Sequence, residues 1–250
     1  MDGQIIDERG SLEAIHHRQD KVNQRELTMM REHRSDFRSI NGHPNVVVCL
    51  DSAFDVGADW MLRYFESEVR RGVVFRPGET VQIGWMIVML KSDEQGDLEI
   101  WEPRFDSMPI QWVRGANSTS RHLTLQNEVC AQLGVETDFP SLAQSGLIAA
   151  DFLHNTDGIH MLRETRGGTD SGWIMRRPES KELNARYCSL FEISLSHTAI
   201  IPFIALPAGS AVTCTKSKIE ISCGQKNISS DSNHFLNRIL ASRGPHSMGK

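Results

Sequence analysis

The sequence predicts an α+β protein, built as two mixed units with largely antiparallel sheets behind a flexible N-terminal arm, on three observations. Short apolar runs, several of them alternating with polar residues, are bounded by turns rich in glycine, proline and aspartate, which is the pattern of strands. Longer stretches carry apolar residues at helical spacing and stop at a glycine. Residues 1–42 have another texture: charges of both signs alternate, apolar residues are sparse and proline is absent. These differences divide the chain into an arm (1–42), a first unit (43–135) and a second unit (140–243).

The arm offers little apolar surface to offset the entropy of ordering. Ile15, Val22 and Met29-Met30 lie near helical spacing, so a solvated helix is the alternative. His16-His17 has no Cys or carboxylate cluster at matching spacing, which reads as solvated histidines rather than a metal site. In the first unit, Val46–Leu50 is a buried-type strand. Val56–Arg71 follows as a helix, started near Asp55, with Trp60, Met61, Tyr64, Phe65 and Val69 on one stripe and Gly72 at its end. Val81–Leu90 reads as one long strand, Gly96-Asp97 as a turn and Leu98–Trp101 as its hairpin partner, with Ile110–Val113 extending the sheet. Ser118–Leu133 is a second helix, ridged by Leu125, Val129 and Leu133 and closed by Gly134.

The second unit opens on its least patterned part, residues 141–166, where Leu147-Ile148 and Ile159–Leu162 stand out as apolar fragments. Asp170-Ser171-Gly172 is a dense turn signal, and Trp173-Ile174-Met175 leaves it as a strand. Tyr187, Leu190, Phe191, Ile193 and Leu195 fit one face of a short helix about as well as a buried strand. Ile200–Leu206 is too apolar for water. Ala211–Thr215 and Lys218–Ser222 make a hairpin, and Asp231–Ser242 a last helix started by Ser229-Ser230-Asp231, with Phe235, Ile239 and Leu240 inward. Gly84-Trp85-Met86-Ile87 and Gly172-Trp173-Ile174-Met175 echo each other, either as traces of two related halves or by chance.

The stretch from Gly167 to Val212 resembles the immunity protein 33 family, α+β domains found among bacterial polymorphic-toxin immunity proteins. The resemblance is carried by DSGW at Asp170–Trp173, by Tyr187 and Leu190, and by IIPFIALPAGSA at Ile200–Ala211. The linker from Arg177 to Arg186 departs from it in being basic and polar. The resemblance implies a protein that binds a cognate toxin and carries no chemistry of its own.

Composition is that of an ordinary soluble globular protein. Over 250 residues, 39% are hydrophobic and 24% charged, enough for a sizeable core. No apolar run approaches the roughly 20 residues that span a bilayer, and MDGQIIDERG has neither the basic start nor the apolar stretch of a secretory signal, so a cytoplasmic protein without a membrane partner is expected. The formal net charge of −5 argues against nucleic acid. Cys49, Cys130, Cys188, Cys214 and Cys223 lack C-x-x-C spacing and read as small buried hydrophobes; a bridge between Cys214 and Cys223 across their hairpin is the alternative.

Phosphate loops, H-E-x-x-H, nucleophile elbows and EF-hand loops are all missing, so no catalytic residue, metal site or cofactor is expected. His122, His154, His160 and His197 are scattered. Asp93, Glu94, Asp97, Glu99, Glu102 and Asp106 gather on and around the hairpin, opposite few basic residues. They read as a solvated face or as an acidic docking surface for a basic partner, to which the polar turn at Asp170-Ser171 is added. The expected function is neutralisation of a toxin by occlusion. The alternatives are an enzyme whose site lies in the loop-rich middle and, more remotely, an oligomer component.

Overall fold

Runs of alternating burial pair into two mixed sheets in this computed structural model, which describes residues 30–40, 42–52, 56–154, 158–165, 167–179 and 184–242. The first sheet contains β1 (Met30–Arg34), β2 (Val46–Asp51), β3 (Thr80–Ile83), β4 (Met86–Ser92), β5 (Leu98–Pro103) and β6 (Trp112–Arg114). Its order is β1-β2-β5-β4-β3, with β6 beside the end of β5, and only β2 and β5 run parallel. The second contains β7 (Ser145–Ala149), β8 (Ile159–Arg163), β9 (Asp170–Arg176), β10 (Ala185–Ser189), β11 (Ser210–Cys214), β12 (Ile219–Cys223) and β13 (Lys226–Ser229). Its order is β10-β7-β9-β8-β11-β12-β13, and only β7 and β9 are parallel. The helices are α1 (Val56–Arg70), α2 (Asn117–Leu133), α3 (Leu190–Ser196) and α4 (His234–Ser242). The α+β expectation holds.

Several elements differ from the sequence reading, each for a local reason. Met30–Arg34, placed in the charged arm, pairs along its length with β2, and Phe37 behind it is buried in a 3-10 turn. Backbone pairing holds a strand that apolar content alone would not. Residues 1–29, with His16-His17, and Asp55 lie outside the described residues. Val81–Leu90 is two strands, because Gly84-Trp85 turns the chain so that Ile83 pairs with Met86. Gly84 takes φ +60°, and a Cβ there would lie 2.0 Å from Leu123 Cδ2. The Tyr187–Leu195 segment is both of its alternatives in turn: strand β10, then helix α3, capped by Ser189 accepting from Glu192 N–H. Helix α4 starts three residues later than expected, with Asn233 accepting from Leu236 N–H, and it buries Leu236 with Ile239. Cys214 pairs with Ile219 and Cys223 with Ser210, at opposite ends of their hairpin, and all five thiols are free.

Two cores form, and α2 belongs to both. Its Leu123 packs with Phe65, Ile83, Leu90 and Ile100 of the first half, whereas Val129, Cys130 and Leu133 pack with Met161, Trp173, Ile200 and Leu206 of the second. The β3–β4 turn enters the second core as a wedge. Trp85 is fully buried there, and its carbonyl accepts from Leu142 N–H at 2.7 Å. Trp85, Phe105 and His122 form a ring cluster, with Phe105 touching Phe191 of α3. The two G-W tetrapeptides thus occupy different positions: Gly84 is in a hairpin turn, Gly172 inside a strand.

The apolar stretch Ile200–Leu206 is buried beneath the second sheet, in a 3-10 helix (Thr198–Phe203) and the turn that follows it. Its carbonyls take donors from elsewhere. Gln126 Nε2 donates to Ile201 O at 2.9 Å, Trp173 Nε1 to Ile204 O at 3.0 Å and Asp138 N–H to Ala205 O at 2.9 Å. The buried Arg163 guanidinium donates to Leu206 O. Replacing Trp173 by Phe removes one of these donors and leaves a void. A loss of about 2–4 kcal/mol in the denaturant-unfolding free energy is expected.

His122 is buried against Trp85 and Phe105, and burial, aided by nearby Arg121, pushes its pKa from 6.5 to about 3. It is therefore neutral in the fold and titrates normally once unfolded. Its contribution to stability is complete above pH 6.5 and is lost as pH falls towards 3. Unfolding curves between pH 7 and 4 should show a shallower acid loss for His122→Leu than for the unaltered protein.

Candidate functional site

The acidic group is built on the β4–β5 turn. Asp93 Oδ1 accepts from the N–H groups of Gln95 and Asp97 at 2.9 and 2.8 Å, closing the loop on itself. Asp97 then points inward, only 2% exposed. Its carboxylate accepts from Arg38 Nη2 at 2.6 Å and Nε at 3.1 Å, from Asn45 N–H at 3.1 Å, and from Arg34. Burial alone would raise the Asp97 pKa, but the hydrogen bonds from Arg38 and Asn45 outweigh it and hold the group below its ordinary value. One carboxylate thus ties the β4–β5 turn to β1 and to the start of β2.

Glu102 is a structural cap. Helix α2 begins at Asn117 behind Ala116, a residue with no capping side chain. The deficit is met from β5. Glu102 accepts from Ser118 N–H at 2.9 Å, from Thr119 N–H at 2.7 Å and from Thr119 Oγ1 at 2.9 Å. The carboxylate sits where a helix leaves donors unpaired and its dipole favours negative charge. Burial nonetheless raises its pKa, the three donors offsetting only part of that cost.

These contacts correct the picture of an acidic surface facing few basic groups. Arg34 and Arg38 hold Asp97, Arg114 holds Glu99 at 2.8 Å and also Glu32, and Arg104 holds Asp106. Asp97 and Glu102 are removed from the docking set by burial. Ser171 is removed with them: it is 5% exposed, donates to Ser145 O at 2.8 Å and accepts from Trp173 N–H at 3.3 Å. Asp93 and Glu99 are half-buried, and Glu94 and Asp106 are exposed. With Glu32, Arg34, Ser92, Gln95 and Arg114, the first three of these line a shallow recess of about 380 Å³. Arg34 and Arg38 were missed because they lie up to 63 positions upstream, in a stretch whose alternating charges read as solvated, whereas Arg114 follows the hairpin and Arg104 stands within the acidic run itself.

The DSGW turn proves to be a bulge in β9. Ser145 pairs with Asp170 and Leu147 with Ile174, so β9 carries two extra residues where β7 has none. Gly172 takes φ +79° at this point, and Asp170 Oδ1 accepts from its N–H at 2.9 Å. The bulge turns Trp173 into the core. Asp170 stays at the surface, 3.5 Å from the hydroxyl of Tyr187, a residue 56% exposed that sequence reasoning took only as a pattern element.

Among the described residues no group of three or more His, Cys, Asp or Glu is placed to hold a metal. Cys49, Cys130 and Cys188 have pKa values pushed up by burial to about 11, about 11 and about 12, so they are protonated thiols at neutral pH. No helix among the described residues is long and apolar enough to cross a membrane.

Residues 125–231 match the model of the Imm33-like domain. The match begins halfway along α2 and ends after β13, so it takes in the second sheet, the DSGW bulge and the buried 3-10 segment. It places the resemblance carried by Gly167–Val212 within a longer domain. No curated relative and no solved structure matches the chain.

Two substitutions test the structural roles assigned here. Glu102→Ala strands two N–H groups at the α2 N-terminus and should cost about 2–4 kcal/mol on denaturant unfolding. Asp97 has a lowered pKa, so its contribution is present above its ordinary value of 3.8 and is lost as pH falls below it. Asp97→Asn should lower the thermal midpoint at pH 7 and narrow its difference from the unaltered protein as the pH approaches 3.

Proposed function

We propose that the protein is an immunity protein that binds a bacterial toxin in the cytoplasm and neutralises it by covering the toxin's active site. The observation that carries this reading is the Imm33-like domain over residues 125–231. Immunity domains of this kind imply a protein toxin as partner, and inhibition by occlusion needs a well-fitted surface but no chemistry from the inhibitor. The protonated thiols, and carboxylates that are occupied as a cap and as a hub of ion pairs, are in keeping with a chain that acts by contact.

The exposed remainder of the acidic group is the face proposed for the toxin. Asp93, Glu94 and Glu99 at the recess, with Asp106 nearby, would meet basic side chains of the partner. Because Glu99 and Asp106 are already paired with arginines, charge here governs approach and selectivity more than final affinity. Asp170 beside Tyr187 is a second contact in the same reading.

The test is co-expression with a toxin encoded beside this gene, followed by titration of the purified pair. Protection of the cells and a one-to-one complex are expected; failure to protect against an expressed, active toxin overturns the reading. Within such a complex, Glu94→Lys should slow association several-fold at low salt and leave dissociation nearly unchanged. An unchanged association rate moves the toxin to another face.

A further inference from the structure

The groove that follows β1 carries charges the described fold leaves unmatched. One wall is the stretch from Ser35 to Ile40, and the other is a stripe of α1 made by Asp59, Leu62, Arg63, Glu66 and Arg70. Between them lies a recess of about 500 Å³. Its floor is apolar: Phe37 is buried, and Ile40 and Leu62 are half-buried against the first core. Glu66 holds Arg70 at 2.6 Å. The side chains of Asp36, Asp59 and Arg63 are exposed and make no hydrogen bond or ion pair with any described residue. Two acids and one base are thus left at the rim.

The chain itself supplies a segment of matching charge and length. Residues 1–29 run into Met30, the first residue of β1, and β1 lies at the edge of its sheet. Laid as a helix, Ile15, Arg18, Val22 and Arg25 fall on one stripe, apolar and basic residues in turn. Over 15–25 the bases are Arg18, Lys21 and Arg25 and the acid is Asp20, opposite in sign to a rim of Asp36 and Asp59 with Arg63. At 1.5 Å per residue a helix over 15–25 is about 15 Å long, and the α1 stripe from Asp59 to Arg70 is about 16 Å long. The five residues from Arg25 to Met30 reach at most about 17 Å when extended, and β1 covers about 17 Å from Met30 to Ser35. The linker is therefore long enough to bring the segment back along β1 to the groove.

We propose that residues 15–25 of this chain seat as an amphipathic helix in the groove between the Ser35–Ile40 stretch and α1. Ile15 and Val22 lie on Ile40 and Leu62, Arg18, Lys21 and Arg25 meet Asp36 and Asp59, and Asp20 faces Arg63. The segment has few apolar side chains, so the contact would be weak between separate molecules. A short linker instead holds it at an effective concentration of about a millimolar, at which a weak contact is occupied. The rim pairs are exposed, and salt weakens them. The groove shares no lining residue with the acidic recess, and the proposal is independent of the immunity reading.

Hydrogen exchange of the full chain, read by mass spectrometry at low salt and at several protein concentrations, tests it. The amides of residues 18–25 are expected to exchange roughly tenfold more slowly than their intrinsic rates, and high salt should reduce that protection. Val22→Asp should abolish it, and so, separately, should Asp36→Lys combined with Asp59→Lys, while exchange in β2 and β5 stays as in the unaltered protein. Reversing the segment as well, by Arg18→Glu, Lys21→Glu and Arg25→Glu, should restore protection to the groove variant, which a general loss of stability would not do. Intrinsic exchange rates over 18–25 in the unaltered chain overturn the proposal. So does protection that the groove substitutions leave in place, and so does protection that grows with protein concentration, which would seat the segment on a second copy.

Discussion

The second half of the molecule depends on how one apolar segment is buried. Ile200–Leu206 is excluded from water by its side chains, but a 3-10 helix containing Pro202 and ending in a turn leaves carbonyl oxygens that must find donors inside. The donors come from four places: Gln126 on α2, Arg163 on β8, Trp173 on β9 and the backbone of Asp138 between the halves. Each is fixed by the carbonyl it serves. The segment therefore acts as a template on which a helix, two central strands and a connecting loop are set in register. The Arg163 guanidinium also lies 5.6 Å from the Trp173 ring, so a cation is tolerated in the core because carbonyls and a π-face surround it.

The same economy explains the acidic residues. A carboxylate at a strand end is a surface feature in isolation. Glu102 and Asp97 show what tertiary structure adds: one meets the unpaired donors of a helix that has no cap of its own, and the other gathers two arginines and an asparagine from a segment with little apolar content. Asp97 thereby adds side-chain ties to a strand that is otherwise held by backbone pairing and by the ion pairs of Glu32 with Arg114 and of Arg34 with Asp93.

Much of the fold was legible. A continuous apolar run gave β2, an alternating one β5 and a short apolar run after a turn β9, helical stripes gave α1 and α2, and the apolar fragments at Leu147-Ile148 and Ile159–Leu162 lie in strands β7 and β8 of the second sheet. The errors came from contacts distant in sequence. The split at Gly84 follows from Leu123 crowding the turn, a neighbour 39 positions on that no local pattern reveals. The strand at Met30–Arg34 was hidden by its charges, of which Arg34 meets Asp97 63 positions on and Glu32 meets Arg114 82 positions on. Of the site residues, composition and spacing located the exposed Glu94 and Asp106, but burial of Asp97, Glu102 and Ser171 is decided by partners in other elements.

Helix α2 is held at its N-terminus by an acid of the first sheet and along its second half by the core of the other. Such a helix works as a strut. A join between two halves is ordinarily the compliant part of a chain, where a linker permits rotation; here any rotation would have to bend a continuous helix and withdraw Trp85 from its socket. The acidic recess and the second sheet are accordingly held at one angle, and a body seated on the recess meets a rigid platform rather than a hinge.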